Sequence, residues 1–457
     1  MIRQCVRLAF AALCLTAASS AAERVTITGR VVTAAGQPVD HATVIVYSAG
    51  VKQGYSTYCP TCYPDCGKRT FSDAKGAFRV DGLNPDLRFR LLVVQEGYRP
   101  AFVPGIDAAA PAKAVLQPRA PVADPARVVL GRVVDPAGRP LRDAIVEAQG
   151  VALPNGARIF GSPDGLEPLA VTNAKGEFEI AYGQPATSMV LLAEARGMAP
   201  KKLLGVPTGK DRQTIVLNDG AMVRGRVMQR GKPVSAVEMG LYSTNHYNGN
   251  GYEEIRVGTN EDGTFAFTNV STGVDWYLYA KMDSISSRGA MQMVKVSTRK
   301  DLEEIDAGDL EIVPGHRVRG RVVLSDGRPV APGMRVLLTP GCDHCGREVP
   351  MDVGSRIIQS RSVGWRDSQT VVLGPDGQFE FTGLSGGPYQ VMAAVKGYGL
   401  SAGYSLLRPL DAVDEEAWKR TSEFSNRRLR ESSIIEIRVD KDVDGIELKL
   451  EPAAGRR

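Results

Sequence analysis

The chain has 457 residues, of which 43% are hydrophobic and 6% aromatic, and its formal net charge is +5. Domains usually hold roughly 100–200 residues, so this length indicates several of them. The small basic excess is spread along the chain, so it gives no reason to expect nucleic acid or an anionic membrane surface as a partner.

The N-terminal stretch predicts a cleaved export signal. Arg3 and Arg7 precede the apolar run 8–18, and small residues follow it up to Ala22. This run is too short to span a bilayer, which takes about 20 apolar residues, and no later run approaches that length. We therefore expect a signal peptide at 1–22 and a mature chain that is periplasmic, extracellular or at the cell surface.

One pattern occurs four times and divides the rest of the chain. A Gly-Arg pair followed by two apolar residues begins at Gly29, Gly131, Gly225 and Gly320, with spacings of 102, 94 and 95 residues. Solenoid repeats are shorter, about 20–50 residues, so each copy is expected to have its own core. We predict four domains, called units 1 to 4, at 23–118, 126–218, 220–314 and 315–452.

Each copy carries turn signatures typical of short strands. The opening strand leads through a Gly-x-Pro turn, as at Gly138-Arg-Pro140, into an alternating strand such as 144–148, and we predict that the two strands form a β-hairpin. An Asx-x-x-Gly-x-Phe turn follows, as at Asn173–Phe178, with Gly374 in the Asx position of unit 4. An apolar strand ending in Gly and an aromatic or similar residue comes next, although unit 3 lacks this ending, and a short alternating strand closes the unit.

In this order, the signatures resemble the carboxypeptidase regulatory-like domain, a seven-stranded β-sandwich of the prealbumin-like type. The resemblance implies an all-β chain of four tandem Ig-like sandwiches. It also implies non-catalytic exported modules, some of which are attached to peptidases or outer-membrane receptors, and related sandwiches bind carbohydrate. One stretch departs from the β pattern, because residues 411–430 contain no Gly or Pro, and we expect a short helical insertion there.

The variable segments lie between the second strand and the Asx turn of each unit, where a scaffold usually carries its binding residues. Those of units 1 and 4, at 55–70 and 341–370, hold all five cysteines that remain after the signal peptide, namely Cys59, Cys62, Cys66, Cys342 and Cys345. In an exported protein we expect Cys342 to pair with Cys345 and two of the first three to pair, which leaves one thiol.

Two other interpretations of these cysteines stay open. In a zinc site, the thiolates of a Cys-x-x-Cys segment meet one tetrahedral ion, and Cys66 or His344 adds a ligand. In a redox site, the same spacing supports thiol–disulfide chemistry, although neither segment opens an evident helix that would lower a thiol pKa.

The segment of unit 3 suggests carbohydrate binding. Tyr247 and Tyr252 combine aromatic faces with the amides of Asn248 and Asn250, and Trp365 of unit 4 offers another platform. The alternatives are a flexible polar loop in unit 3 and, for Trp365, a plug in a core or between domains.

The sequence contains no catalytic signature. At strand–helix junctions the sequence shows no Gly-x-Ser-x-Gly elbow, no His-Glu-x-x-His pair and no glycine-rich phosphate loop. We therefore predict a non-catalytic binding or scaffold protein, with a protein or glycan of the cell envelope as its partner. Carbohydrate binding and metal binding are the alternative functions.

Overall fold

The computed structural model describes residues 23–108, 110–243, 254–331, 333–340, 368–395, 398, 434–450 and 452. Within them, the chain forms 31 strands, one four-residue helix and one 3-10 turn. The strands make eight sheets, two in each of four successive units. The predicted all-β fold of tandem sandwiches is confirmed, whereas the helical insertion expected at 411–430 lies outside the described residues.

Unit 1 shows the shared topology. Its strands are β1 (Val25–Thr33), β2 (Thr43–Val51), β3 (Arg69–Phe71), β4 (Ala77–Leu83), β5 (Leu87–Val94), β6 (Tyr98–Arg99), β7 (Ala101–Ile106) and β8 (Ala112–Pro118). One sheet has the order β4-β1-β8-β6 and the other β3-β2-β5-β7. Only β1 and β8 pair in parallel.

Unit 2 repeats this order after a 3-10 turn at Pro125–Arg127. Its strands are β9 (Val128–Val134), β10 (Ile145–Ala152), β11 (Arg158–Phe160), β12 (Leu169–Val171), β13 (Glu177–Ala181), β14 (Ser188–Glu194), β15 (Lys201–Pro207) and β16 (Gln213–Val216). The sheets are β13-β9-β16 and β11-β10-β14-β15, and β12 also pairs with β10.

Units 3 and 4 follow the same plan. Unit 3 contains β17 (Ala221–Gln229), β18 (Lys232–Pro233), β19 (Glu238–Ser243), β20 (Glu254–Gly258), β21 (Thr264–Val270), β22 (Val274–Ala280), α1 (Met282–Ile285), β23 (Val294–Thr298) and β24 (Glu304–Glu311). Unit 4 contains β25 (His316–Leu324), β26 (Arg335–Pro340), β27 (Gln369–Val372), β28 (Gln378–Leu384), β29 (Gly387–Ala394), β30 (Ile434–Val439) and β31 (Val443–Leu450). Helix α1 is too short to cross a membrane, and no other α-helix occurs in the part of the chain that the structure describes.

The predicted hairpin between the opening strand and the alternating strand after the Gly-x-Pro turn is wrong, because the two strands lie in different sheets in every unit. In unit 3, only the two-residue strand β18 pairs with the opening strand β17. In unit 1, β1 pairs with β4 and β8, whereas β2 lies in the other sheet. A single bridge, Val32 to Pro38, is all that remains of the hairpin, and Val134 to Pro140 is its counterpart in unit 2. Proline has no amide hydrogen to continue the ladder, so the chain crosses to the opposite sheet. Both strands still bury one face, because they meet across the core instead of side by side.

The opening glycine and the phenylalanine of the Asx turn form one packing unit. They are directly opposed on paired strands in every unit, as Gly29–Phe78, Gly131–Phe178, Gly225–Phe265 and Gly320–Phe379. A Cβ atom at Gly131 would overlap the ring of Phe178. The glycine therefore leaves the space that the inward-facing ring fills, which explains why the two motifs recur together.

Each unit has its own hydrophobic core between its two sheets. Among the fully buried side chains are Phe89 in unit 1, Ile180 in unit 2, Trp276 in unit 3 and Phe381 in unit 4. The cores are not wholly separate, because Met282 of α1 packs into the core of unit 4. A side chain of unit 3 therefore contributes to the core of unit 4.

Candidate functional site

The cysteine-rich segment at 55–70, here called the unit 1 insert, contains one disulfide and one thiol. Cys59 is bonded to Cys62, with 5.1 Å between their Cα atoms, and the Cys62 amide donates to the Cys59 carbonyl over 2.9 Å. Cys66 is a free thiol with 2% of its surface exposed. This is the local pair with one thiol left over that the spacing led us to expect.

The disulfide removes two potential metal ligands, the thiolates of Cys59 and Cys62, from the insert. Two sulfur atoms that are bonded to each other are not thiolate ligands, so this Cys-x-x-Cys segment binds no zinc in its oxidised form. No group of three His, Cys, Asp or Glu side chains suitable for a metal occurs among the described residues. Cys342, His344 and Cys345, the other metal or disulfide candidates, lie outside them.

Cys66 lies inside the insert as an unreactive thiol. Its sulfur donates to the Pro60 carbonyl, which is 3.4 Å away. Burial raises the pKa of Cys66 to about 11, although Arg196 acts in the opposite direction. Because the thiolate is the nucleophilic form, this residue does not attack neighbouring groups at neutral pH.

A buried carboxylate fixes the insert to unit 1. Asp65 is 3% exposed, and it accepts hydrogen bonds from the Lys68 ammonium at 2.7 Å and the Asn84 amide at 2.8 Å. The Arg24 guanidinium lies 3.4 Å from the same carboxylate. Each of these donors compensates part of the cost of burying a charge.

The insert also contacts units 2 and 3. The Arg196 guanidinium of unit 2 donates to the Cys66 carbonyl over 2.5 Å. The Gly258 amide of unit 3 donates to the Ser56 carbonyl over 2.5 Å, and a Cβ atom at Gly258 would lie 2.7 Å from the Cβ of Tyr55. The Cys62 sulfur is 3.8 Å from the hydroxyl of Thr268, also in unit 3. The insert is therefore a junction of three units.

A second set of contacts joins units 1 and 2 through their sheets. Ile45 on β2, Leu92 on β5 and Ile145 on β10 form one cluster, each at most 4% exposed. At its side, Arg69 of unit 1 pairs with Asp143 of unit 2 at 2.7 Å. The two sheets thus face each other across an apolar contact with an ion pair at its edge.

We did not predict this contact, although the sequence carries a signal for it. Each cluster residue interrupts the expected alternation with a continuous apolar run, as in Val44-Ile45-Val46 and Ala144-Ile145-Val146. Such runs are typical of strands that are buried on both faces.

The spacer between units 1 and 2, residues 119–125, is anchored at its first residue. Arg119 donates to both carboxylate oxygens of Glu167 in unit 2, at 2.6 and 2.8 Å, and to Glu179 at 2.9 Å. The hydrogen bonds that Arg119 donates to Glu167, together with the negative charge of that carboxylate, raise the pKa of Arg119 despite partial burial. A bidentate pair of this kind fixes orientation as well as distance.

Units 2 and 3 are joined by main-chain acceptors. The Asn269 side-chain amide donates to the carbonyls of Gly197 at 2.9 Å and Asp219 at 2.8 Å. The Ser271 hydroxyl donates to the Pro200 carbonyl at 3.0 Å. Gly197 and Met198 form the recurring ending of the apolar strand in unit 2. This ending therefore serves as a contact surface for the next unit.

The carbohydrate candidates Tyr247, Asn248, Asn250, Tyr252 and Trp365 all lie outside the described residues. Glycan binding through them stays a prediction. The strands next to the unit 3 segment carry an aromatic cluster that we did not predict. It consists of Tyr242 and Tyr279, both at most 3% exposed, with Tyr277 and Met293 packed against them.

Comparisons with known proteins identify the fold of unit 1. The model of the carboxypeptidase regulatory-like domain matches residues 26–119. No curated protein sequence is significantly similar to the chain.

Solved structures with some similarity come from bacterial proteins, two of which are pilins. The Bacillus anthracis TIE protein has 9% identity and a TM-score of 0.18, with 95% of this chain and 76% of that chain covered. The Streptococcal ancillary pilin has 12% identity and a TM-score of 0.21, with 72% and 99% covered. BcpA, the major pilin subunit of Bacillus cereus, has 11% identity and a TM-score of 0.17, with 64% and 100% covered.

These TM-scores are too low to assign a function to this chain. The first unit of this protein belongs to the carboxypeptidase regulatory-like domain family, and three further units with the same order of shared strands follow it.

Proposed function

We propose that this protein is an exported, non-catalytic scaffold in which units 1 to 3 keep a fixed arrangement and present their outer surfaces to a protein of the cell envelope. The observation that carries the proposal is that the unit 1 insert contacts units 2 and 3. Its disulfide, its buried carboxylate and its main-chain carbonyls lie in contacts within unit 1 or with units 2 and 3.

The most recognisable motif supports the same function. The arginine after the opening glycine contacts the neighbouring strand or turn in each unit. Arg30 and Arg132 donate to the carbonyls of Lys75 and Lys175 in the Asx turns, at 3.2 and 2.9 Å. In units 3 and 4, Arg226 pairs with Asp309 and Arg321 with Glu447 on the last strand. The recurring arginines therefore support the sheets, and we assign them no ligand.

The tandem arrangement gives the proposed scaffold its stiffness. Contacts between units involve an apolar sheet face, a bidentate ion pair and several main-chain hydrogen bonds, and they join each of units 1, 2 and 3 to the other two. Relative motion of domains is expected by default unless the interface between them is extensive. Three mutual interfaces restrict that motion more than a single joint does.

Fractionation of cells that express the full chain tests export. We expect the protein in the exported fraction, with an N-terminus at Glu23 and with Cys59 linked to Cys62 in peptide mass maps taken after alkylation. Small-angle scattering of this material should fit one fixed arrangement of units 1 to 3. Retention in the cytoplasm with both cysteines reduced, or scattering typical of freely jointed units, would contradict the proposal.

A further inference from the structure

We infer that the Cys59–Cys62 disulfide is a site of thiol–disulfide exchange, and that its redox state controls whether the unit 1 insert holds units 1, 2 and 3 together. The inference rests on the proposed function, since such a disulfide persists in an oxidising, exported compartment.

The disulfide is accessible to a reductant. Both half-cystines are partly exposed, and Tyr58 beside them is 55% exposed. A dithiol, either a small molecule or the active site of an exported oxidoreductase, can therefore attack one sulfur and form a mixed disulfide. The second thiol of the dithiol then displaces the protein.

The exchange transfers two electrons and two protons from the dithiol to the disulfide. The dithiol loses two electrons and two protons and becomes a disulfide, while Cys59 and Cys62 each become a thiol. Exchange with an oxidised partner disulfide runs the reaction backwards and closes the turn again.

The turn that the disulfide closes is connected to both neighbouring units. Pro60 lies within it, and its carbonyl accepts from the Ala49 amide of β2 at 2.8 Å and from the Cys66 thiol at 3.4 Å. The Cys66 carbonyl in turn accepts from Arg196 of unit 2. Opening the turn frees the Pro60 carbonyl to move. The hydrogen bond that holds Cys66 in place is then weaker, and so is the contact of Cys66 with Arg196 of unit 2.

The contact with unit 3 depends on the same turn. The Cys62 sulfur lies 3.8 Å from the Thr268 hydroxyl. Ser56, whose carbonyl accepts from Gly258, is also hydrogen-bonded to the Tyr63 hydroxyl directly after the turn. Reduction therefore affects both sides of the junction.

The neighbouring thiol does not perform this exchange itself. Cys66 is buried and its pKa is raised, so it stays protonated beside the disulfide. Its burial makes it a reporter, because a maleimide reaches Cys66 only when the insert leaves its place.

The test uses the full-length exported protein, either oxidised or reduced with dithiothreitol that is removed by gel filtration under argon before labelling, because free dithiothreitol would consume the maleimide. Short pulses of N-ethylmaleimide are followed by peptide-resolved mass spectrometry of the peptide that contains Cys66. We expect reduction to accelerate labelling of Cys66 by at least about tenfold, because a constraint on the loop is lost. The radius of gyration of the reduced protein should also increase.

Three variants distinguish control by the Cys59–Cys62 disulfide from general effects of the reductant. Cys59→Ser/Cys62→Ser should label quickly at Cys66 without reductant. Cys342→Ser/Cys345→Ser should behave like the wild type, which assigns the effect to unit 1. Arg196→Ala should accelerate labelling while the disulfide stays closed, because it removes the contact with the Cys66 carbonyl.

Equal labelling rates for the oxidised and reduced protein would overturn the inference, and so would an unchanged radius of gyration after complete reduction. Export and the fixed arrangement of the oxidised protein are measured separately. A protein that is exported and rigid, yet insensitive to reduction, would refute the proposed redox control of the unit 1 insert. The scaffold proposal would remain in place.

Discussion

At the scale of single residues, close packing explains why a glycine recurs at the start of each unit, since a Cβ atom there would overlap its neighbours. In unit 1, Gly29 lies between the ring of Phe78 on one neighbouring strand and the carbonyl of Ala112 on the other. A Cβ atom would lie 2.5 Å from the ring and closer still to the carbonyl oxygen. Neither neighbour is free to move, since Phe78 is 5% exposed and the carbonyl belongs to β8.

We expect Gly29→Ala to destabilise unit 1 by about 1–3 kcal/mol, the usual cost of overpacking a core. Gly50→Ala is a matched control on β2, because no atom lies within 4 Å of its added Cβ and its φ is not in the left-handed region. Amide hydrogen exchange of β1 and β4, resolved by peptide, measures the change. Equal exchange rates in the two variants would contradict this explanation of the motif.

At the scale of elements, the turn after the first strand directs the chain to the opposite sheet. In unit 2, the Asp135 carboxylate accepts from the Ala137 amide at 3.0 Å, the Arg139 amide at 2.8 Å and the Arg139 guanidinium at 2.6 Å. Burial by itself would raise the pKa of Asp135. The hydrogen bonds and the charge of Arg139 outweigh burial, and the pKa is lower than its ordinary value of 3.8.

This lowered pKa predicts a loss of stability in acid. A depressed pKa in the folded state contributes stability that is fully present above the unfolded value, and the contribution is lost as the pH falls through the folded pKa. The stability difference between the wild type and Asp135→Asn should therefore be constant at neutral pH and shrink below about pH 4. Hydrogen exchange of β9 as a function of pH measures it, and identical pH profiles for the two proteins would show that the turn carries no such linkage.

At the scale of the whole molecule, the contact between units 1 and 2 sets the position of the unit 1 insert. Ile145 is 1% exposed between the two sheets, against Ile45 and Leu92. Arg196, which reaches the Cys66 carbonyl, follows β14 in the sheet that carries Ile145. The apolar contact thus positions the donor that the insert requires.

We expect Ile145→Arg to separate units 1 and 2, since a buried guanidinium without a partner costs several kcal/mol. Small-angle scattering should show a larger radius of gyration, and Cys66 should react faster with maleimide. Phe160→Arg is the control in the same sheet, because Phe160 is 66% exposed. If both variants scatter like the wild type, the apolar cluster does not hold the units together.

Part of the junction was predictable from the cysteine pattern. Cys59, Cys62 and Cys66 are close in sequence, so a local disulfide with one remaining thiol followed from their number and spacing. Which residues meet the carbonyls of Ser56 and Cys66 was not predictable. Gly258 and Arg196 are far away in the chain, and their approach depends on the angles between units.

The sequence by itself determined the repeated β-sandwich, because alternation, turn glycines and the glycine–phenylalanine pair act within a few residues or within one unit. Only the tertiary structure decided that β1 and β2 belong to different sheets, since their alternation is equally well satisfied in a hairpin and across a core. It also decided that the unit 1 insert is a junction. That role arises from the outer faces of the sheets, whose apolar residues find their partners only after each unit has folded.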